Sequence, residues 1–140
     1  EVQLMSAGAG IAHSEYNHAP DTTVEFLQIW VLPREAGGAP GYQQHDFGRS
    51  PGLVRVVSPD GADGSLRIKQ DMDLWRLLLD AGEARHVVKR RRAWVQVVRG
   101  TLDVNGARLH PGDGLAVVET PELLLAVAEG PVEALIFDLV

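Results

Sequence analysis

Residues 93–118 of this 140-residue chain read AWVQVVRGTLDVNGARLHPGDGLAVV, and this stretch decides the fold class. Four short apolar runs are separated by Arg99-Gly100, Asn105-Gly106 and Pro111-Gly112-Asp113-Gly114. Gly, Asn, Asp and Pro supply the backbone conformations that tight turns require, and Asn-Gly between apolar runs is a strong hairpin signal. The spacing predicts consecutive antiparallel strands in this part of the chain.

Short apolar runs bounded by turn residues continue along the whole chain. This pattern predicts an all-β fold, and many short strands at even spacing are typical of a sandwich or a barrel. Asp71–Leu79 is the one segment that also suits a helix, because periodicity does not separate the two structures over so short a run. The predicted strands are Val2–Ser6, Ile11–Tyr16, Val24–Leu32, Leu53–Val57, Leu66–Gln70, Asp73–Leu79, His86–Val88, Ala93–Val98, Thr101–Val104, Ala107–Leu109, Gly114–Val118, Leu123–Val127 and Val132–Leu139.

Composition and charge exclude several classes of protein. Hydrophobic residues make up 45% of the chain, which excludes a disordered protein, and no apolar run is long enough for a membrane span. The absence of cysteine excludes disulfides and thiolate ligands and fits a cytoplasmic protein. The net charge of −6 disfavours direct nucleic-acid binding. Lys89-Arg90-Arg91-Arg92 is the exception, and it is either a solvated loop or a basic patch for a partner.

The longest stretch without a predicted strand, Pro33–Gly52, divides the chain. A structureless stretch of this length is unusual inside one small domain, so we interpret it as a connection between two units. The first unit comprises residues 1–50 and the second residues 51–140. The few strands predicted in the first unit cannot close a barrel alone. We therefore expect the first unit to be the latter part of a domain and the second to be a complete domain.

The turn series of residues 99–114 resembles that of the cupin family, whose fold is a jelly-roll-like, double-stranded β-helix barrel. A metal-binding cupin carries two histidines and a glutamate at set distances before the glycine that corresponds to Gly100. Counting back from Gly100 places His86, Val88 and Ala93 at these positions, and Leu115 stands where a later histidine is expected. The resemblance therefore implies a metal-free second barrel, with His86 as a structural or surface residue.

The first unit contains the triplet His13-Ser14-Glu15. In a strand, residues two apart lie on the same face, so the imidazole of His13 and the carboxylate of Glu15 would converge. A neutral imidazole nitrogen and a carboxylate oxygen form half of a mixed site for a divalent transition metal. The alternative for the same two residues is a hydrogen-bonded pair within the strand.

The surroundings of this triplet are similar to the pirin family. Gln3–Asn17 carries the most specific part of the resemblance, followed by Phe26–Pro33. The agreement continues through Ser58-Pro59-Asp60-Gly61 to Phe137-Asp138-Leu139 near the end of the chain. Pirins are bicupins, in which two barrels pack face to face. The resemblance implies that the chain holds a complete C-terminal cupin and the latter part of an N-terminal cupin.

The resemblance also implies a metal site in the N-terminal barrel. Pirins hold one metal ion, usually iron, through the two histidines of an early H-x-H and then the histidine and glutamate of His-Ser-Glu. His13 and Glu15 match the last two ligands, whereas the chain contains no H-x-H. We expect Fe(II) or another divalent transition metal in a full-length protein, with the other two ligands on a preceding segment. Two ligands alone leave several positions to water, which lowers metal affinity.

The activity that the resemblance implies is the 2,3-dioxygenation of flavonols such as quercetin. Glu15 would act as general base for the substrate hydroxyl, and Gln3 and Met5 would line the substrate pocket. One alternative is an iron-binding regulator or transcription cofactor that acts through protein partners, and another is a cupin that binds a small ligand without chemistry. Exposed apolar stretches such as Phe26–Trp30 also predict pairing with a missing N-terminal piece or with a second copy of the chain.

Overall fold

The computed structural model describes all 140 residues and consists of ten β-strands without an α-helix. The all-β expectation is confirmed, and no helix is long and apolar enough to cross a membrane. One turn of 3-10 helix lies at Ala62–Gly64. The strands are β1 (Val2–Ser6), β2 (Gly41–His45), β3 (Gly52–Ser58), β4 (Leu66–Arg67), β5 (Met72–Leu79), β6 (Glu83–Val87), β7 (Arg92–Val104), β8 (Ala107–Leu109), β9 (Gly114–Val118) and β10 (Glu122–Leu139).

Two long strands, β7 with 13 residues and β10 with 18, run through both layers of a barrel. In one layer the strand order is β4-β3-β5-β10-β7-β9, built on the second half of β10 and the first half of β7. In the other layer the order is β6-β10-β7-β8, built on the remaining halves. The predicted strands Ala93–Val98 and Thr101–Val104 are therefore parts of β7, and Leu123–Val127 and Val132–Leu139 are parts of β10.

The main hydrophobic core lies between these two layers. Alternation along each strand turns every second side chain inward, so β7 contributes Ala93, Val95 and Val97 from one layer and Leu102 and Val104 from the other. Complete burial of a leucine or valine contributes about 1.5–3 kcal/mol, so this cluster is the main source of stability. The other buried members of the cluster are Leu77, Leu109, Leu123, Leu125, Val132, Ala134 and Ile136.

The long strands bend where they pass from one layer to the other. The pairing of β7 with β10 shifts register between Val127 and Ala134. At this bend Gly100 has φ = 72°, and a Cβ on Gly100 would lie 2.3 Å from the carbonyl oxygen of Pro131. Only glycine allows both this backbone conformation and this close approach of the two strands.

A separate two-stranded antiparallel sheet, formed by β1 and β2, packs against the outside of the barrel. Val2 and Leu4 contact a smaller apolar cluster on the outer face of β3 and β5, which contains Val56 and Met72. The side-chain amide of Gln43 also joins this sheet to the barrel, because it exchanges two hydrogen bonds with the backbone of Arg67. The small sheet is therefore held in a defined position by apolar and polar contacts together.

Two predicted strands of the first unit, Ile11–Tyr16 and Val24–Leu32, are wrong in this structure. Residues 9–40 form no strand and are exposed throughout. Their backbone makes few hydrogen bonds, for example one within the stretch, from the Ala9 N–H to the Gly38 carbonyl, and one to the barrel, from the Arg34 N–H to the Lys69 carbonyl. An apolar pattern produces a strand only where a neighbouring strand satisfies its N–H and C=O groups.

Two other expectations also need correction. The helical alternative for Asp71–Leu79 is wrong, because β5 pairs with β3 on one side and β10 on the other. The predicted irregular stretch Pro33–Gly52 contains β2, which pairs with β1 over five residue pairs. Its sequence, GYQQH, lacks the apolar residues by which the other strands are recognised.

We predict that Gly100→Ala lowers the free energy of unfolding by about 1–3 kcal/mol, because the new methyl group collides with Pro131 and the positive φ is unfavourable. Urea denaturation followed by tryptophan fluorescence measures this loss. Gly130→Ala is the matched control, since Gly130 has φ = 67° but a Cβ there would meet no atom within 4 Å. Equal losses of unfolding free energy in the two variants would show that the close approach to Pro131 does not add to the effect of the substitution.

Candidate functional site

The outward face of the small sheet carries both residues that were predicted to line a substrate pocket. In the register of β1 and β2, Gln3 is paired with Gln44 and Met5 with Tyr42. Residues directly opposite each other in an antiparallel pair share a face. These four side chains therefore lie on one face, and Leu4, together with Gln43 opposite it, lies on the face toward the barrel.

A cavity of about 340 Å³ lies beside this face and includes the predicted ligand His13. The segment that carries His13 is held there because Gly8 lies directly against the backbone of residues 38–40. A Cβ on Gly8 would be 2.5 Å from the Gly38 carbonyl oxygen, so this approach also requires glycine. The residues that line the cavity are Met5, Ile11, Ala12, His13, Pro40, Gly41 and Tyr42.

Of the predicted site residues, the structure brings His13 and Met5 together at this cavity, whereas Glu15 and Gln3 do not line it. His13 and Glu15 are both exposed and lie outside any strand, so strand alternation does not place them on one face. The alternative of a hydrogen-bonded pair within a strand is wrong in this structure, because their segment forms no strand. Strand geometry therefore does not bring these two side chains together, and the shared metal site stays a prediction.

The donor atoms of His13 and Glu15 fit a divalent transition metal in kind, since imidazole nitrogen and carboxylate oxygen are ordinary ligands of such ions. They do not fit in number. No group of three or more His, Asp or Glu side chains is placed to hold a metal ion anywhere in the chain. His13 and Glu15 alone would leave the other coordination positions of an ion to water or to further ligands.

Tyr42 and Gln44 were missed by the sequence analysis because β2 was assigned to an irregular connection. The phenol of Tyr42 donates a hydrogen bond of 2.5 Å to the Oε1 atom of Gln44. Tyr42 is 57% exposed, so its ring and hydroxyl are accessible from the solvent. The sequence of β2 carries no apolar alternation, so the pairing with β1 alone reveals the face that Tyr42 and Gln44 share.

His86 lies inside the barrel. Its Nε2 atom is 3.1 Å from an Oδ1 atom of fully buried Asp138, and its ring packs edge-on against Trp75. The expectation of a structural residue is confirmed for His86 and the surface alternative is wrong. Val88, Ala93 and Leu115, which occupy the other positions of the metal-binding pattern, pack with their aliphatic side chains against the main core.

A second buried carboxylate, Asp73, lies directly opposite Asp138 on the neighbouring strand. Arg90 neutralises it through a hydrogen bond of 2.6 Å, and the same guanidinium binds Asp71. Burial alone would lower the pKa of Arg90, but the hydrogen bonds that Arg90 donates to Asp73 and Asp71 outweigh burial and raise the pKa. Arg55 lies 3.7 Å from Asp73 as a second positive charge.

The basic run at residues 89–92 is largely committed to contacts within the chain. Arg90 holds Asp71 and Asp73, Arg91 forms an ion pair of 3.2 Å with Glu119, and Arg92 donates to the carbonyl oxygen of Val140. The run therefore does not present four free cations to a partner.

An apolar groove of about 700 Å³ lies on the outer face of the barrel, on the other side of the sheet from His86. One wall is the irregular segment 27–32, in which Trp30 is 88% exposed. The opposite wall consists of outward side chains of β5, β7 and β10 with their neighbours, namely Met72, Trp94, Gln96, Leu135, Phe137, Leu139, Val140, Gln70 and Asp71.

The two-layered barrel with its packed interior defines the second unit as a cupin. Residues 55–139 match the family described as the quercetinase C-terminal cupin domain, and residues 1–31 match the family described as pirin. The first match covers more than half of the chain. The chain belongs to the pirin family.

Known relatives agree with this assignment. The protein named quercetin 2,3-dioxygenase of Escherichia coli K12 is 42% identical over 141 aligned residues, which cover 99% of this chain and 61% of that protein. The crystal structure of YhhW from Escherichia coli has a TM-score of 0.75 at 37% identity and covers 79% of this chain and 48% of YhhW. A structure of the same protein in complex with nickel(II) has a TM-score of 0.72 at 38% identity, with the same coverage. The chain thus spans less than two thirds of these relatives.

We predict that Asp73→Asn destabilises the barrel by about 1–3 kcal/mol, because it replaces the buried carboxylate that accepts from Arg90 by a neutral amide and leaves Arg90 and Arg55 with only their more exposed partners, Asp71 and Asp63. Thermal and urea unfolding measure the loss. Asp103→Asn is the control, since Asp103 forms its ion pair with Arg108 at the surface and its removal should change stability little. Similar stabilities of the two variants would contradict a structural role for the Asp73–Arg90 pair.

Proposed function

We propose that this chain is part of a metal-dependent dioxygenase of flavonols such as quercetin. The single observation that carries the proposal is the cavity in which His13, Met5 and Tyr42 meet, because it unites a predicted metal ligand with an apolar and an aromatic wall. Pockets for small aromatic ligands are typically apolar with a few polar groups that fix orientation. The likeness to a relative named quercetin 2,3-dioxygenase, over 99% of this chain, supports the substrate class.

In this proposal residues 1–50 belong to the metal-binding cupin and residues 51–140 form the metal-free one. His13 and Glu15 would supply two ligands to Fe(II) or another divalent transition metal, and further ligands would come from outside the chain. The bound metal would supply a Lewis acid that holds a substrate oxygen. The carboxylate of Glu15 would accept the proton of the substrate hydroxyl, and Met5 and Gln3 would contact the flavonol rings.

A role through protein contacts is the second candidate, and the apolar groove favours it. Phe26, Leu27, Ile29, Trp30 and Leu32 expose between 43% and 88% of their surface in one short segment beside this groove. Contiguous apolar surface of this kind marks an interaction site. We propose that the segment pairs with a preceding part of a longer protein or with a second copy, and such a surface would also serve a regulatory protein.

The dioxygenase proposal predicts oxygen uptake with quercetin by a longer form that carries all four ligands, loaded with Fe(II) or Ni(II), and little or none by this chain. Glu15→Gln in the longer form should lose at least tenfold in turnover because the base is absent, and elemental analysis measures how much of the metal remains, so that loss of the base is separated from loss of a ligand. Glu25→Gln is the matched control, since Glu25 lies on the same segment but pairs with Arg99. Failure of the metal-loaded longer form to turn over any flavonol would rule out this activity.

The contact proposal predicts that this chain self-associates at micromolar concentration and that Trp30→Ser weakens the association at least tenfold, because Trp30 offers the most exposed apolar side chain of the segment. Sedimentation velocity over a concentration series measures the strength of this self-association. Tyr16→Ser, which removes an aromatic side chain that is 82% exposed and outside the groove, is the control. A wild-type chain that stays monomeric and does not bind an added N-terminal segment would count against this surface.

A further inference from the structure

Tyr42 is the one aromatic side chain on the wall of the cavity that also contains His13. Its position is fixed at three points. Its backbone pairs with Met5 across the small sheet, its hydroxyl donates to Gln44, and the neighbouring Gln43 clamps the strand to Arg67 of the barrel. A side chain held in this way is oriented before a ligand arrives, which lowers the entropy lost on binding.

The direction of the hydrogen bond decides what Tyr42 offers to a ligand. Since the phenol proton points to the Oε1 atom of Gln44, the lone pairs of the Tyr42 oxygen remain free to accept. The amide nitrogen of Gln44 makes no hydrogen bond within the chain and remains free to donate. The pair therefore presents one acceptor and one donor beside an apolar floor formed by Met5 and Ile11.

We propose that Tyr42, oriented by Gln44, selects hydroxylated aromatic ligands at this cavity. The Tyr42 oxygen accepts a hydrogen bond from a phenolic hydroxyl of the ligand, and the ring of Tyr42 contacts the aromatic face. A ligand of the same shape without hydroxyl groups leaves this acceptor unused and binds more weakly. The inference rests on the proposed function for its ligand class and adds a specificity-determining residue that is not a metal ligand.

The test is equilibrium binding of quercetin and of unsubstituted flavone to the metal-free chain, followed by ligand absorbance. For the wild type we expect tighter binding of quercetin than of flavone. Tyr42→Phe should lower the affinity for quercetin by threefold to tenfold and leave the affinity for flavone unchanged, because only the hydrogen bond is lost. Tyr42→Ala should weaken both ligands, since the ring is also removed. Gln44→Leu should reduce the ratio of quercetin to flavone affinity without abolishing binding, because the phenol keeps its place but loses its orientation.

Tyr16→Phe removes a hydroxyl from an exposed tyrosine outside the cavity and should change neither affinity. Equal quercetin affinity of Tyr42→Phe and the wild type would overturn the inference and leave the dioxygenase proposal standing. Absence of binding of either flavonoid to the wild type would overturn the inference directly. Selective binding that depends on Tyr42, combined with no oxygen uptake by the longer metal-loaded form, would support the inference and contradict the dioxygenase.

Discussion

The passage of β7 and β10 through both layers is the constraint on which the rest of the barrel depends. Every other strand of the barrel except β3 and β4 pairs with one of these two strands, and β3 and β4 join through β5. The main core exists only because the two layers face each other, and that arrangement requires both strands to bend at the same place. Gly100 and Pro131 meet at this bend, so the backbone there is as important to the fold as the side chains that it brings together.

The interior of the barrel is apolar at its centre and ionic at one end. His86 on one layer contacts Asp138 on the other layer through its Nε2 atom. Arg90 donates a hydrogen bond to Asp73, which lies on the strand beside Asp138. Two carboxylates opposite each other would repel strongly in a buried site unless each had its own partner. Of the positions that the resemblance to cupins assigned to metal ligands, one holds His86 with a carboxylate partner and the others hold aliphatic side chains. The contact between His86 and Asp138 therefore links the two layers at this end.

Sequence patterns predicted most strands of the second unit, because two independent signals mark them: the alternation of apolar residues and the turn residues between strands. Asn105-Gly106 and Pro111–Gly114 lie where the structure has turns, and β7 to β9 follow at the expected places. The first unit was predicted less well. Alternation at Ile11–Tyr16 and Val24–Leu32 describes which side chains would share a face, but it does not supply the neighbouring strand that a sheet needs. Conversely, β2 has a neighbour and forms without an apolar pattern.

The same limitation governs the candidate site. His13 and Met5 were candidate residues from the sequence and both line one cavity, whereas Tyr42 could not be identified, because it reaches that cavity only through the pairing of β2 with β1. His13 and Glu15 would share a face only if their segment became a strand, and the apolar side chains of residues 24–32 would be buried only by a similar pairing. Burial of each large apolar side chain is worth about 1.5–3 kcal/mol, so the tendency to pair is substantial. Both segments thus lack the same element, a neighbouring strand, and the pattern of their own residues does not supply it.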